Sequence, residues 1–447
     1  MTETTAERRD LRAHLEHAPM SFYQWAIVAC AVLLNALDGF DVASMSFVAV
    51  NVEDEFSLSG SALGIVISAT LLGMAIGSLA IGRIADVIGR RWTVIGSTAL
   101  ATLGMYLAAT AQDVSQLGLW RVVTGLGVGG ILTSITVITS EFSSGRWRGL
   151  AIGIYAAGYG VGAFLGGIAA NGLQASFGWR AVFLAGAVVS TVLVLVLLVV
   201  LPESVQFLTS KRPRYAERAL RTVARRVGFH ADLAAGATAR ETTTAAPRAG
   251  LKSLFGGSAL AATLLLWAAY FAVMFGFYFV NSWTPRLMTD AGMTAEQGVV
   301  IGMALAIGGA VGSVLYGILA ARYAREGLLL GFLVIGAIAV VAFILSTAAL
   351  AVALVLGVLV GLLVNGCVAG LYSVAPTRYP TAARATGVGA ALAVGRVGAI
   401  LAPTVGGGLV DAGWGNVALY SLAAVLLLAG AVAVLFLRRI PEPGADA

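Results

Sequence analysis

Four charged side chains fall inside stretches that are otherwise apolar: Asp38 and Asp41 in LNALDGFDVASMSFVAV, Arg121 in RVVTGLGVGG and Arg396 in VGRVGAIL. Residues three apart on a helix are neighbours on one face, so the two aspartates look the same way. An ionised Asp at the centre of a membrane helix costs roughly 2.5–3.5 kcal/mol, so such a face must meet water or a partner. Two carboxylates side by side in a low-dielectric site favour holding a proton, which makes Asp38 and Asp41 a candidate proton-coupling pair. The alternative is a structural ion pair between helices. Gly39 between them lets a neighbouring helix approach closely.

Arg121 is placed at a depth similar to Asp41 and is the expected counter-charge; an interfacial arginine snorkelling outward is the alternative. Arg396 has no acidic residue in its own helix within two turns. A guanidinium fork matches the two oxygens of a carboxylate, so Arg396 is expected to receive the carboxylate of a substrate, or else to pair with an aspartate across a cavity. Asp38, Asp41, Arg121 and Arg396 sum to zero charge, and one bound monoanion with one proton keeps that sum.

The elements that must position these groups are membrane helices. The chain has 447 residues, 59% hydrophobic and only 11% charged, with a mean hydropathy of +0.91. That is too apolar for a water-soluble domain of this length. Apolar runs of about twenty residues suit helices crossing roughly 30 Å of hydrocarbon and are twice too long for barrel strands. Twelve spans are predicted at 22–49, 60–82, 91–110, 116–140, 148–172, 179–201, 257–284, 296–320, 327–347, 349–374, 385–410 and 415–437.

Of the 28 Lys and Arg, 24 fall on the side of the N-terminus, Arg180 and Arg286 on the other, and Arg121 and Arg396 within spans. The excess predicts both termini in the cytoplasm. It also accounts for the isoelectric point near 9.5 without nucleic-acid binding. The chain divides into an N-tail (1–21) with no signal-peptide pattern, six helices (22–202), a linker (203–256), six more helices (257–437) and a C-tail (438–447). Within the linker, KRPRYAERALRTVARRVGF reads as a helix lying on the inner membrane face, and ATARETTTAAPRAG has linker composition. Cys30 and Cys367 sit in apolar runs without ligand spacing, so neither a disulfide framework nor a metal site is expected.

The two halves echo each other. IGSLAIGRIADVIGRR (76–91) aligns with VGSVLYGILAARYARE (311–326) at a constant offset of 235, matching Gly77, Ser78 and Gly82 to Gly312, Ser313 and Gly317. Glu141 and Arg148 have a similar echo in Thr377 and Arg384. Two six-helix repeats put a substrate site at the midplane between the halves, the architecture of a transporter.

GRIADVIGRR (82–91) resembles the loop motif between helices 2 and 3 of the major facilitator superfamily, and RVVTGLGVGG (121–130) its helix-4 motif. PES (202–204) and PTRYPTAARATG (376–387) resemble the same superfamily, so the likeness covers essentially the whole chain. DGFD (38–41) in the first helix is similar to the mark of the aromatic acid:proton symporters. The resemblance implies a twelve-helix, all-α membrane protein that takes up benzoate, hydroxybenzoates, protocatechuate, gentisate or hydroxyphenylpropionates with protons. Val87 stands where the motif usually has a basic residue, and Ala321 where the first half has Asp86, departures that bear on gating.

For a benzene ring, WAAYFAVMFGFYFVNSW (267–283) offers a stacking wall, with Tyr270, Phe277, Tyr278 and Asn281 as candidates. Tyr155, Tyr159 and Asn365 are lesser candidates, and each aromatic has ordinary packing as its alternative. Gly158, Gly162 and Gly166 read as a face where helix 5 packs closely. Asp86, Arg90, Glu141, Arg148 and Arg384 are expected at an inner gate. The histidines, His14, His17 and His230, lie in the tail and linker, so proton coupling falls to carboxylates.

The expectation is a proton-coupled importer of a small aromatic carboxylate in the bacterial inner membrane, working by alternating access as a monomer. Its partners would be the substrate, protons and the lipid bilayer, with no cofactor and no nucleic acid. A sugar or polyol symporter, a proton-driven exporter and a transporter-like receptor remain as alternatives. With no nucleophile, metal cluster or phosphate loop, an enzyme is not expected.

Overall fold

A computed structural model describes residues 11–229, 254–256, 258–347, 349–380 and 383–440. The expectations for residues 1–10, for the ATARETTTAAPRAG segment, for His230 and for residues 441–447 lie outside the described residues. Among the described residues twelve helices are long and apolar enough to cross a membrane. In chain order they are α1 (Phe22–Phe56), α2 (Gly60–Ile88), α3 (Arg90–Ala109), α4 (Val114–Phe142), α5 (Arg148–Phe177) and α6 (Arg180–Val200), then α7 (Ser258–Asp290), α8 (Ala295–Ala320), α9 (Arg325–Leu345), α10 (Leu350–Val374), α11 (Arg384–Asp411) and α12 (Asn416–Leu437).

Short polar residues start these helices as their chemistry dictates. Ser21 and Thr294 form capping boxes with Gln24 and Gln297, and Ser59 and Asp113 cap α2 and α4. Gly89, with φ of +99°, makes the break between α2 and α3. Several helices outrun the predicted spans. The last turns of α1 and α7 continue through NVEDEF and RLMTD, carrying Glu53, Arg286 and Asp290 with them. The linker helix predicted over 211–229 is Ala216–Arg226, and a further short helix, Val205–Lys211, precedes it. Arg212 turns into the left-handed region at φ 46°, and Pro213 follows.

The internal repeat is visible in the packing. In the first half α2 lies on α4, α1 on α5 and α3 on α6; in the second, α8 lies on α10, α7 on α11 and α9 on α12. Between the halves the main contacts are α2 with α11 and α5 with α8, again a matched pair under a twofold. One aligned glycine pair has the same job in both halves: a Cβ on Gly77 would strike the Leu126 carbonyl of α4, and one on Gly312 the Leu362 carbonyl of α10. Small residues let these backbones touch, which is how helices associate where lipid removes the hydrophobic drive.

Alternate spans run in opposite directions, so both described chain ends lie at one end of the bundle. Glu16 accepts the Gly145 N–H there, and Ile440 accepts from Arg378. At the opposite, far end the halves are joined. Arg286 of α7 forks onto Glu53 of α1 through two contacts of 2.8 Å, and also pairs with Asp290. Asp411 of α11 accepts the N–H groups of Gly60 (2.7 Å) and Ser61 (2.9 Å) at the N-terminus of α2, where the helix dipole favours an anion. Ser68 adds hydrogen bonds to the Ile400 carbonyl and to Thr404.

Candidate functional site

Asp38 and Asp41 share a face of α1 but have different surroundings. Arg121, 1% exposed, reaches from α4 with one nitrogen on the Asp41 carboxylate and another on the Asp41 backbone carbonyl at 3.0 Å. The far face of that guanidinium covers the Phe183 ring, 5.3 Å to its centroid. Asp41 is fully buried, so the pair is a dry clamp between α1 and α4. Asp38 is also buried, yet it makes no hydrogen bond or ion pair among the described residues, and its Oδ1 is sealed from solvent without a partner.

What places Asp38 is the approach of α5. A Cβ on Gly39 would collide with the Tyr159 carbonyl, and one on Gly162 with the Ala36 carbonyl. Gly158 and Gly166 extend the same seam against Val32 and Phe40. Asn35 fixes the register by donating to the Tyr155 carbonyl at 2.7 Å. The seam leaves Tyr155 and Tyr159 within electrostatic reach of Asp38.

Arg396 comes from α11 in the other half. It is half-buried, has no ion pair among the described residues, and its charge is felt at Asp38, Tyr159, Tyr278 and Tyr372. One arginine therefore faces groups from α1, α5, α7 and α10. Tyr372 was not singled out from the sequence, where it is one aromatic in an apolar run without a distinguishing neighbour. It is 50% exposed and stands edge-on to Tyr270, ring centroids 6.3 Å apart.

The α7 candidates separate. Tyr278 lies with the central charges, whereas Phe277, 6% exposed, belongs to the apolar core and meets Tyr278 edge-on at 5.0 Å. Phe277 thus packs beside Tyr278. Tyr270 is fully buried, and its hydroxyl has no hydrogen-bond partner. Asn281 spends one amide hydrogen on the Phe277 carbonyl of its own helix. Asn365 likewise donates to Gly361 and packs over Gly309 of α8, so it sits in the α8–α10 seam.

The residues expected at the inner gate are distributed differently. Arg90 pairs with Glu141, and Ser204 donates to both oxygens of Glu141 at 2.7 and 2.9 Å. That network ties α3, α4 and the PES turn within one half, so it does not itself bridge the halves. Arg148 meets Glu16 of the N-tail at 3.4 Å, while Asp86 and Arg384 are exposed. A matching pair with its charges exchanged, Glu326 with Arg378 at 2.6 Å, holds α9 to the end of α10. Glu203 caps α3, accepting the N–H groups of Arg90 (2.8 Å) and Arg91 (3.1 Å) where Gly89 has no side chain to do so. Burial pushes the Glu203 carboxyl up from its ordinary range, against the pull of those backbone donors.

No group of three metal-ligating side chains converges among the described residues. The centre instead offers a neutralised pair, an unpartnered carboxylate and an unpartnered guanidinium framed by tyrosines. Such a set can hold a proton and an aromatic anion together.

Comparison with known proteins adds a lineage. Residues 31–403 and 301–447 match the model of the Major Facilitator Superfamily. The chain is 35% identical over 410 residues to the 4-hydroxybenzoate transporter PcaK of Pseudomonas aeruginosa, covering 91% of each protein. It is 32% identical over 430 residues to the gallate transporter of Pseudomonas putida, covering 95% of this chain and 94% of that one. Among solved structures it resembles the partially occluded inward open form of the xylose transporter XylE from E. coli, with a TM-score of 0.74 over 96% of this chain and all of that one. At 18% identity that last likeness speaks for the fold alone.

Proposed function

Because the chain belongs to the major facilitator superfamily, we propose that it imports a small aromatic carboxylate of the benzoate, hydroxybenzoate, protocatechuate or gentisate type together with protons. It is a multi-pass membrane transporter and not an enzyme. The observation that carries the reading is that the Asp38 carboxylate and the Arg396 guanidinium, from opposite halves and each without an ion pair among the described residues, lie within electrostatic reach of each other. Relatives named for 4-hydroxybenzoate and gallate transport support the substrate class.

In this scheme Asp38 carries the proton and Asp41 with Arg121 holds the local field. With Asp38 ionised, its charge competes for Arg396 and repels a second carboxylate. Protonation removes that competitor, and the substrate carboxylate takes the guanidinium fork while its ring lies among Tyr159, Tyr278 and Tyr372. Binding of the anion and of the proton therefore favour each other, and that mutual effect is symport when both cross in one closure cycle. The tail-end surface, rich in Lys and Arg, is assigned to the cytoplasm of a bacterial inner membrane. The joined far end is then the outer one, and alternating access requires the Arg286, Glu53 and Asp411 contacts to part. A monomer supplies every group in the scheme.

The test is uptake of radiolabelled 4-hydroxybenzoate into proteoliposomes under an inward proton gradient. The expected result is accumulation that benzoate, protocatechuate or gentisate suppresses and that 4-hydroxybenzamide, which lacks the carboxylate, does not. Uptake of xylose with no competition by aromatic acids would instead support a sugar symporter, the reading that the fold likeness alone would allow.

A further inference from the structure

A cavity of about 590 Å³ opens at the tail end, far from Asp38 and Arg396. Its walls are the start of α1, the start of α3, the end of α6, the PES turn and the Ala216–Arg226 helix. Arg91, Arg218 and Arg226 line this space, along with Tyr23, Tyr215 and Glu203. The Glu203 Oε1 is already taken by backbone N–H groups of Arg90, Arg91 and Ser204.

The three arginines have no carboxylate partner within ion-pair distance among the described residues. Arg91 donates to the Leu198 carbonyl at 2.6 Å, and its Nε is buried without a partner. Arg226 touches only neutral acceptors, the Tyr23 hydroxyl at 3.2 Å and the Val199 carbonyl at 3.4 Å, with its guanidinium over the Tyr23 ring. By contrast Arg221, on the same short helix but outside the cavity, is paired with Glu217. Three positive charges against one carboxylate leave the cavity cationic.

The mouth of this cavity also adjoins an exposed apolar surface. Val188, Val192, Leu195 and Val199 of α6 recur at helical spacing and are 50%, 56%, 60% and 70% exposed, a continuous apolar stripe that ends at the cavity. Tyr23, Trp92 and Tyr215 surround the entrance, the residue types that collect where a bilayer meets water. A soluble anion would use the arginines and leave the stripe idle; a lipid uses both.

We propose that this cavity binds the phosphodiester headgroup of an anionic glycerophospholipid, with the acyl chains laid along the exposed face of α6. The guanidinium groups of Arg91, Arg218 and Arg226 meet the phosphate oxygens, as basic pockets at a membrane boundary do. The site also pins the linker helix to α3 and α6, joining the connection between the halves to the lipid around them.

The test is native mass spectrometry of the full-length protein released from detergent and titrated with palmitoyl-oleoyl phosphatidylglycerol or the matching phosphatidylcholine. Phosphatidylglycerol adducts are expected to exceed phosphatidylcholine adducts, and R218Q/R226Q is expected to weaken them roughly tenfold or more. R218Q alone, which alters an exposed side chain, gives a smaller loss in a protein whose fold is not in question, and R225Q, on the same helix but outside the cavity, gives none. Excess inorganic phosphate leaves the adducts in place. Equal binding of the two lipids, full retention in R218Q/R226Q, an equal loss in R225Q, or displacement by phosphate would each overturn the proposal.

Discussion

Asp38→Asn is expected to abolish proton-driven accumulation of 4-hydroxybenzoate while preserving exchange of labelled for unlabelled substrate across proteoliposomes. Asn has the shape of a protonated Asp, and Asp38 makes no hydrogen bond or ion pair among the described residues that the change would break. The variant is thus fixed in the proton-loaded condition: it binds the anion at Arg396 but gains nothing from the gradient. Asp41→Asn is expected to behave differently, because it strands the buried Arg121. Removing one partner of a buried pair costs about 3–5 kcal/mol, so loss of folded protein in detergent should accompany any loss of transport. Accumulation that survives in Asp38→Asn would take the proton away from that residue.

The second large effect is at Arg396. A desolvated guanidinium bound to a carboxylate contributes about 2–5 kcal/mol when one partner is truncated, so Arg396→Gln should raise the half-saturating concentration of 4-hydroxybenzoate by roughly thirtyfold or more. Arg396→Lys keeps the charge but loses the two-pronged geometry and should fall between. Because Arg396 has no ion pair to lose among the described residues, the fold should tolerate both changes. Near-normal affinity in Arg396→Gln would place the carboxylate elsewhere.

Much of this centre could be read from residue type alone. A charge within an apolar run is conspicuous, and Asp38, Asp41, Arg121 and Arg396 were legible for that reason. Gly77 and Gly312 announced the repeat because their close backbone contacts admit no larger residue. Arg121 was placed at the depth of Asp41, but that it would leave Asp38 without a share of its charge was not legible. Residues three apart differ by only about a sixth of a turn, and the choice depends on how α4 rotates against α1.

The far-end closure was hidden for another reason. Glu53 and Arg286 lie past the ends of the predicted spans, yet α1 and α7 continue as helix and bring them together, while Asp411 at the end of α11 meets the start of α2. Tyr372 and Phe277 show the limit of composition. On helices buried on several sides neither hydrophobic pattern nor residue type says which aromatic lines a cavity and which fills a seam. The gate residues were recognisable as charges at helix ends, but only coordinates show that Arg90 and Glu141 close on each other within one half.

The central claim is that an aromatic anion and a proton cross together through one site. It is tested most directly by trapping a pH-sensitive dye inside proteoliposomes and adding 4-hydroxybenzoate outside with no imposed gradient. The account predicts that the lumen acidifies as labelled substrate enters, in the wild type but neither in Asp38→Asn nor in protein-free vesicles. Substrate entry through the protein with no change in lumenal pH would contradict it.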